Sequence, residues 1–333
     1  MSSTRLRLPH SGALRRYGLT DSTYTAYYRA TDIFLHNCSL TFKQLSTLDI
    51  TTIDSYLSAW IEAEYEAGGS RSYAENTRNG LHFFCPCLKN QLHESHLRLK
   101  GWKRKVPGRS HPPLPRNIAV LMAASLARRE HYHAALATLL SFDCYLRINE
   151  CMKLRVGDVT IPIDTRLGAR YSRCAVHLRT TKTVDNLSCT VRDPVIARLL
   201  HRCIIGRPST DLVFPFTAAV YREHHFKYTL DLLGLGHLHF VPHSLRHGGA
   251  THDYVVVGRS EEHVFKRGRW ASLKSANRYL QTLAAVNLTY LVPTELDQEG
   301  AEYDHELEFL MDFAIGEAWP LVPPLVSTDQ RSI

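Results

Sequence analysis

The amino-acid sequence predicts a mainly α-helical protein with a small β-sheet, built as an all-α N-terminal domain followed by an α+β domain. Apolar residues recur at helical spacing through most of the first hundred residues. A basic, proline-rich segment at 106–116 interrupts this pattern. Two strand-like runs then lie close together at 171–179 and 187–192. A chain of 333 residues is long enough for two domains that each bury a core.

The N-terminal part predicts four or five short helices after a basic arm. Residues 1–20 are polar and basic, which predicts a flexible arm. The first helix is predicted from Thr23 to Cys38, and the second begins near residues 52–54 and stops at Gly68-Gly69. Residues 21–105 are therefore expected to form a small helical domain.

A dense run of positive charge leads into a linker at 106–116. Pro107 and the prolines after residue 111 exclude a regular helix there and predict an extended hinge. The hinge could contact backbone phosphates, or it could be a merely solvated connection. The candidate DNA-binding residues in and before it are Arg98, Lys100, Lys103, Arg104, Lys105 and Arg109. The triplet at 103–105 also fits a short nuclear import signal.

The second domain, residues 117–292, is predicted to pack apolar helices around one β-hairpin. Asp185-Asn186 supplies turn chemistry between the two strands, which would place Lys182 near the hairpin tip. Ser260, followed by two glutamates, suits the start of a late helix. The helices are predicted at 118–140 (two helices, the second at 132–140), 194–203 and 218–233.

Composition favours a polyanionic partner. The chain has 40 lysines and arginines against 32 aspartates and glutamates. Ten of these acids but only one base lie after residue 290, so residues 1–290 carry 39 bases against 22 acids, a charge of +17. Such an excess suits nucleic acid, because neutralising phosphates releases counterions. The sequence shows neither a secretory signal nor an apolar run that could span a membrane, so neither secretion nor a membrane partner is expected.

The eight cysteines predict buried, reduced thiols rather than a metal site. They lack the paired C-x-x-C spacing that zinc sites use. Cys85-Pro86-Cys87, near His82 and His93, is the only metal-like cluster, and its proline constrains a chelate instead of completing one. No metal and no cofactor are expected.

The chemistry of the chain centres on residues 241–281. His243 and Arg246 are three residues apart, so on a helix they share a face. An imidazole beside an arginine fork, with no carboxylate between them, suits a phosphate. A Gly268-Arg269-Trp270 turn follows, and Tyr279 lies nine residues beyond the tryptophan. A tyrosine delivered to a phosphate can act as a nucleophile.

These motifs resemble the tyrosine recombinases, the DNA strand-exchange family that includes phage integrases. HSLRH, GRW and the tyrosine at this spacing resemble the C-terminal half of the family, and CYLRINE at 144–150 resembles its first arginine box. RTTKT at 179–183 resembles its β-hairpin lysine. Tyr145 stands where glycine is common, and Arg269 separates Gly268 from Trp270. Within the family, the chain looks most like recombinases of eukaryotic mobile elements (DIRS-like or Crypton-like).

The resemblance implies a catalytic set with defined roles. Two arginines would clamp the phosphate, a lysine would protonate the departing 5′-oxygen, and the tyrosine would form a 3′-phosphotyrosine without metal or nucleotide. Glu150 would hold the first arginine in place. The implied catalytic residues are Arg147, Lys182, His243, Arg246, Trp270 and Tyr279. The implied partner is double-stranded DNA. The protein would be a homo-tetramer on paired DNA sites and a monomer or dimer when it is free of DNA. A protein of this family from a eukaryote would be nuclear, and one from any other organism would be cytoplasmic.

Alternatives remain open for both residues and function. Arg147 with Glu150 could be a structural ion pair, and Trp270 could be a core residue. Lys153 and Arg179 are less suitable substitutes for the lysine, while Tyr254 and Tyr290 lack the spacing of the nucleophile. As a whole, the chain could instead be a type IB-like topoisomerase, or a domesticated DNA-binding protein without catalysis.

The acidic tail, residues 293–333, is predicted to contain a helix. Apolar residues recur there at helical spacing, at Leu307, Leu310, Met311 and Ala314. In the family that the chain resembles, this segment commonly docks a helix into the adjacent protomer. Residues 295–318 are therefore expected to pack in trans, with a helix folded back in cis as the alternative.

Overall fold

The computed structural model describes residues 16–108, 111–161, 174–180, 185–270 and 282–315. In these ranges the protein is mainly helical with one three-stranded sheet, which confirms the predicted fold class. The chain divides into two compact units, Met1–Arg109 and Ser110–Ile333. No helix in the described ranges combines the length and the apolar character needed to cross a membrane.

The first unit is helical. The first predicted helix is confirmed to within two residues at its start, because Thr20 caps it by accepting from the backbone N–H of Thr23. The second begins at Ile50, earlier than predicted, because Asp49 caps it. It ends just before Gly68, which has a φ of 70°. The helices are α1 (Asp21–Asn37), α2 (Phe42–Leu45), α3 (Ile50–Glu66), α4 (Arg71–Phe84) and α5 (His93–Lys105).

The charged run before the linker lies on a helix. Its bases from residue 98 to 105 lie on the last turns of α5 and are exposed, whereas Leu99 and Trp102 on the same helix are buried. Burial of these two residues, three positions apart, holds the segment in a helix. The buried carboxylate of Asp54 on α3 accepts the backbone N–H groups of Glu94 and Ser95, at 2.7 and 3.0 Å, and so caps the start of α5. Arg109 lies outside the described residues.

The second unit packs helices around a buried pair. Most residues of α6 and α7 from Ile118 to Phe142 are buried, as the apolar sequence there predicts. The segment predicted as one helix over 218–233 contains a π-helical stretch, Tyr221–Lys227, between two α-helical pieces. The helices are α6 (Arg116–Arg128), α7 (Tyr132–Asp143), α8 (Ile148–Cys151), α9 (Pro194–Ile204), α10 (Ala218–Val220), α11 (Tyr228–Leu232), α12 (Pro242–Val255), α13 (Glu261–Gly268), α14 (Thr282–Leu291) and α15 (Thr294–Ile315).

The sheet has the antiparallel order β1 (Val159–Thr160), β2 (Ala175–Thr180) and β3 (Asp185–Thr190). His177 pairs with Ser188, and Thr180 pairs with Asp185. The prediction that Asp185-Asn186 forms the turn is therefore wrong, since both residues belong to β3. The four residues that join β2 to β3, which include Lys182, lie outside the described residues.

Two adjacent glycines bring α12 against the end of α7. A Cβ atom on Gly248 would lie 2.0 Å from the carbonyl oxygen of Leu114, and one on Gly249 would lie 2.1 Å from that of Phe142. A larger side chain at either position would push the helix away. This close approach places the face of α12 that carries His243 and Arg246 beside the segment that precedes Arg147.

In this single chain the acidic tail packs in cis, which is the alternative that the sequence left open. Leu307 and Met311 of α15 are buried in the core of their own unit. A Cβ atom on Gly300 would lie 2.2 Å from the carbonyl oxygen of Asn117, which shows how closely α15 lies on α6. Arg116 of α6 bonds both Asp193 and Asp304, at 3.0 and 2.7 Å. The acids of the tail therefore meet basic residues of the same chain.

Truncating the buried leucine of α15 tests this packing. Leu307→Ala is expected to lower the free energy of unfolding by about 2–5 kcal/mol, because it leaves a cavity in the core. The neighbouring exposed residue offers a matched control, and Glu306→Ala is expected to change the free energy by less than about 0.5 kcal/mol. Both are measured by urea unfolding of the full chain. Equal stabilities of the two variants would contradict the packing in cis.

Candidate active site

Helix α12 supplies two of the predicted site residues from its first turns. Pro242 occupies the first helical position, where its missing N–H costs nothing. The carbonyl oxygen of Ser244 accepts the backbone N–H of Leu114 at 3.0 Å, which fixes this end of the helix to the start of the second unit. His243 and Arg246 follow the pattern of helical neighbours that the sequence predicted.

Arg147 and Glu150 form the ion pair that the sequence predicted. Arg147 stands at the N-cap of α8, and its Nη1 donates to Oε1 of Glu150 at 2.6 Å. Its backbone N–H donates to Oε2 of the same carboxylate at 3.0 Å. Burial raises the pKa of Glu150, but the two bonds from Arg147 and the arginine charges outweigh burial and hold this pKa below its usual value. The Arg147 side chain remains 25% exposed.

Arg246 is buried, which the sequence did not predict. Its side chain is 0% exposed. Nη1 donates to the carbonyl oxygen of Tyr145, and Nη2 donates to that of Gly268 at 2.6 Å. The guanidinium lies 5.1 Å from the ring centre of Trp270. In this structure Arg246 therefore ties α12 to both the Tyr145 turn and the end of α13, in addition to placing its charge beside Arg147 and Glu150.

Trp270 is a core residue that also lies within the site. Its ring stacks on that of Tyr145 with 6.3 Å between centroids, and Ala250 and Val264 complete a small buried cluster. Packing and proximity to the predicted site coincide at this position. The indole therefore helps to fix the position of the Tyr145 turn.

The two departures from the family pattern share a backbone conformation. Tyr145 has a φ of 48° and Arg269 a φ of 55°, both in the left-handed region that favours glycine. The first value gives a physical reason why glycine suits the position before the first arginine box. Tyr145 is held there by its packing and by its hydroxyl, which bonds Asp253.

His243 and His247 form a neutral pair one helical turn apart. Their rings meet edge to face with 4.9 Å between centroids. Burial and the positive charges of Arg246 and Arg147 lower the pKa of His243 to about 4. Burial and the neighbouring histidines lower the pKa of His247 to about 3. At neutral pH His243 is uncharged, so one ring nitrogen can accept a proton or a hydrogen bond.

The low pKa of His243 predicts a loss of stability in acid. The pKa of 6.5 in the unfolded chain exceeds the folded value of about 4, so the unfolded state binds the proton first. Stability should fall as the pH drops through 6.5 toward 4. The fall should be smaller in His243→Gln than in the wild type or in the exposed control His305→Gln. Urea unfolding measured between pH 4 and pH 7 tests this. Identical pH profiles for the His243 variant and the wild type would contradict it.

The structure brings together part of the predicted set. Arg147, Glu150, His243, Arg246 and Trp270 converge, whereas Lys182 and Tyr279 lie outside the described residues. The rival residues have other surroundings. Arg179 bonds Asp158 at 2.5 Å, and Lys153 is exposed. Tyr254 packs beside the Trp270 cluster, and Tyr290 on α14 is 84% exposed.

The sequence interpretation missed two arginines in the site. Arg267 and Arg269 flank Gly268, and each side chain is 6% exposed. Both bond the segment that leads to Arg147. The signal available in the sequence was the density of bases in KRGR at 266–269, directly before the tryptophan. Within the described ranges, no cluster of three or more potential metal-binding side chains occurs, and all eight cysteines are free.

The fold is shared with solved integrases and recombinases. The Tn1549 transposon integrase in complex with circular intermediate DNA aligns with a TM-score of 0.58 at 14% identity, covering 80% of this chain and 91% of that one. The lambda integrase dimer bound to a COC′ core site gives 0.53 at 13% identity, with 81% and 74% covered. The XerH site-specific recombinase bound to a palindromic difH substrate gives 0.52 at 17% identity, with 85% and 79% covered.

No protein-family model and no curated protein sequence matches the chain. At identities this low, the structural likeness establishes the fold, which is that of the tyrosine recombinases.

Proposed function

We propose that this protein is a site-specific DNA recombinase that cleaves and rejoins DNA strands through a 3′-phosphotyrosine intermediate. The observation that carries the proposal is the assembly of Arg147, His243 and Arg246 around the single carboxylate of Glu150, on the tyrosine recombinase fold. The two arginines come from segments about a hundred residues apart, and the surplus of positive charge suits a phosphate.

The exposed edge of Arg147 would bind the scissile phosphate. Nη1 is engaged by Glu150, but a guanidinium has five donors, and the Arg147 side chain is 25% exposed. The carboxylate fixes the orientation of the guanidinium before DNA arrives, so its charge can act on the transition state without reorganisation. Arg246 is fully buried and adds a second positive charge beside the Glu150 carboxylate.

The covalent step exchanges one phosphodiester for another. The Tyr279 oxygen would attack phosphorus while the bond to the 5′-oxygen breaks. The Tyr279 proton would pass to solvent with the help of His243, which could also hydrogen-bond the phosphate. Lys182 would give a proton to the departing 5′-oxygen. The products are a 3′-phosphotyrosine and a free 5′-hydroxyl, and reversal with a new strand completes the exchange. Side chains balance the charge, so the scheme requires neither metal nor nucleotide.

Double-stranded DNA is the proposed partner. The exposed bases on the last turns of α5 offer a row of charges to its backbone. Assembly as a homo-tetramer on paired sites, an origin in a eukaryotic mobile element and a nuclear location are proposed on the resemblance of the sequence motifs. Among alternatives, a type IB-like topoisomerase would relax supercoiled plasmid without paired sites.

Nicked suicide substrates test the proposal. A pool of candidate terminal sequences is incubated with the protein, and adducts that survive denaturing detergent are scored with and without chelator. The expected result is an adduct whose yield is unchanged by chelator. An adduct that forms only with magnesium would overturn the scheme, and so would the absence of an adduct with every bound sequence. Relaxation of plasmid without paired sites would favour the topoisomerase alternative.

The role of Lys182 predicts a chemical rescue. Lys182→Ala should slow cleavage of ordinary DNA by about 10²–10⁴-fold, the usual contribution of a general acid. A substrate with a bridging 5′-phosphorothiolate has a leaving group that needs no proton, so it should restore the rate. Lys153→Ala is the control and should cleave both substrates at the wild-type rate. If the sulfur substrate does not rescue Lys182→Ala, the general acid is another residue.

A further inference from the structure

The arginines around Gly268 bond consecutive carbonyl groups at the turn that precedes Arg147. Arg269 donates from Nη1 to the carbonyl oxygen of Cys144 at 3.2 Å and from Nη2 to that of Tyr145 at 3.1 Å. Arg267 donates from Nε to the carbonyl oxygen of Asp143 at 3.2 Å and from Nη1 to that of Thr190 at 2.9 Å. The turn at 143–145 is therefore held by side chains from a segment more than a hundred residues away in the chain.

Arg269 also reaches the carboxylate that orients Arg147. Its Nη2 lies 3.6 Å from Oε2 of Glu150, whose Oε1 accepts from Arg147 at 2.6 Å. The side chains of Arg269 and Glu150 are each 6% exposed, so water screens this pair little. Glu150 is thus shared by two guanidinium groups and cannot neutralise both. The two guanidinium groups and the carboxylate together therefore keep a net positive charge.

The backbone at Arg269 indicates that its side chain is needed where it lies. A non-glycine residue in the left-handed region costs roughly 1–3 kcal/mol and persists only when its surroundings hold it there. Glycine would end α13 in this conformation without that cost. Arg269, with a φ of 55°, instead turns its side chain inward to the Tyr145 turn, which is itself left-handed.

We propose that Arg269 is a positioning residue for strand cleavage. It acts by fixing the turn at 143–145 and the carboxylate of Glu150, so that Arg147 faces the phosphate. This inference rests on the proposed function. Arg269 is too deeply buried to bind DNA itself, so it acts through Glu150 and the two carbonyl groups. It connects the Gly268-Arg269-Trp270 segment physically to the first arginine box.

Two variants and a control test the proposal in the full-length chain. Arg269→Gly removes the side chain and suits the left-handed backbone. Arg269→Lys keeps the charge but lacks the planar fork whose two nitrogens each bond one carbonyl group. Lys266→Ala removes an exposed charge from the same helix. Two experiments are done on each variant. One measures hydrogen exchange of the 143–151 amides, and the other measures the rate of single-turnover cleavage at saturating DNA together with the DNA dissociation constant.

Arg269→Gly should slow cleavage by about 10–100-fold, as loss of an orienting partner does. The dissociation constant should change less than about twofold, since the contact with DNA is unaffected. Exchange of the 143–151 amides should rise severalfold. Arg269→Lys should lie between the glycine variant and the wild type, and it decides the question if the glycine variant does not fold. Lys266→Ala should match the wild type in both measurements.

Either of two results would overturn the inference. One is wild-type exchange and wild-type cleavage in both Arg269 variants. The other is a loss of DNA affinity equal to the loss of cleavage, which would make Arg269 a binding residue. A wild-type protein that binds DNA but forms no adduct overturns the proposed function instead. The exchange measurement then still decides whether Arg269 holds the turn.

Discussion

Replacing Arg147 by alanine is expected to slow strand cleavage by about 10²–10³-fold at saturating DNA, or roughly 2.7–4 kcal/mol of transition-state stabilisation. The guanidinium is already oriented by Glu150, and on the proposed mechanism it would meet the phosphate as charge develops there. DNA affinity should change much less, because one phosphate contact among many is lost. Single-turnover kinetics on a suicide substrate, with binding measured separately, give both quantities.

The partner of Arg147 requires its own control. Arg147→Ala leaves the buried carboxylate of Glu150 without its main counter-ion, which destabilises the fold by itself. The double variant Arg147→Ala with Glu150→Gln removes that charge, so it should recover stability but not cleavage. Arg222→Ala, which removes an exposed arginine, should behave as wild type. Cleavage by the double variant within about twofold of Arg222→Ala would exclude Arg147 from the chemistry.

Tyr279→Phe is expected to abolish the covalent adduct while leaving DNA binding unchanged. On the proposed mechanism only the nucleophilic oxygen is lost. Tyr254→Phe and Tyr290→Phe are matched controls, since each removes one hydroxyl from a tyrosine without the nine-residue spacing and should form adduct at the wild-type rate. Detergent-resistant complexes are measured beside binding isotherms.

Two outcomes would reassign the nucleophile. A detergent-resistant adduct in Tyr279→Phe would place it at another residue. Loss of the adduct in Tyr290→Phe alone would identify that exposed tyrosine. Both outcomes keep covalent catalysis but reject the nine-residue spacing from Trp270 as the guide to the nucleophile.

The parts of the site that follow from local geometry could be predicted from the sequence. Residues three apart on a helix are neighbours, and so are the N-cap residue and the residue three positions after it. The first rule predicts that His243 lies beside Arg246, and the second that Arg147 lies beside Glu150. The cap at Ser260 follows in the same way. Helical periodicity also gave the order of the buried helices, because burial of one face is what makes them stable.

The parts that depend on distant segments could not be predicted. The burial of Arg246 results from the carbonyl groups of Tyr145 and Gly268, which no spacing rule brings together. The two glycines of α12 permit that approach, but the sequence does not indicate which backbone they face. The tail shows the same limit. An apolar stripe predicts that α15 is buried, whereas the ion pairs with Arg116 and Arg202 select its own unit.

The basic run before the linker ends where a local rule and packing agree. Pro107 disfavours the helical conformation at the residue before it, and α5 ends at Lys105. Leu99 and Trp102 bury one face of the helix up to that point. The charges are therefore presented at helical spacing, which places them along one element.

Mass spectrometry of the covalent adduct tests the central claim most directly. Wild-type protein trapped on a nicked substrate is digested with protease and nuclease, and the modified peptide is sequenced. The proposal predicts a nucleotide joined through its 3′-phosphate to the oxygen of Tyr279. Attachment to any other residue, or through a 5′-phosphate, would contradict it.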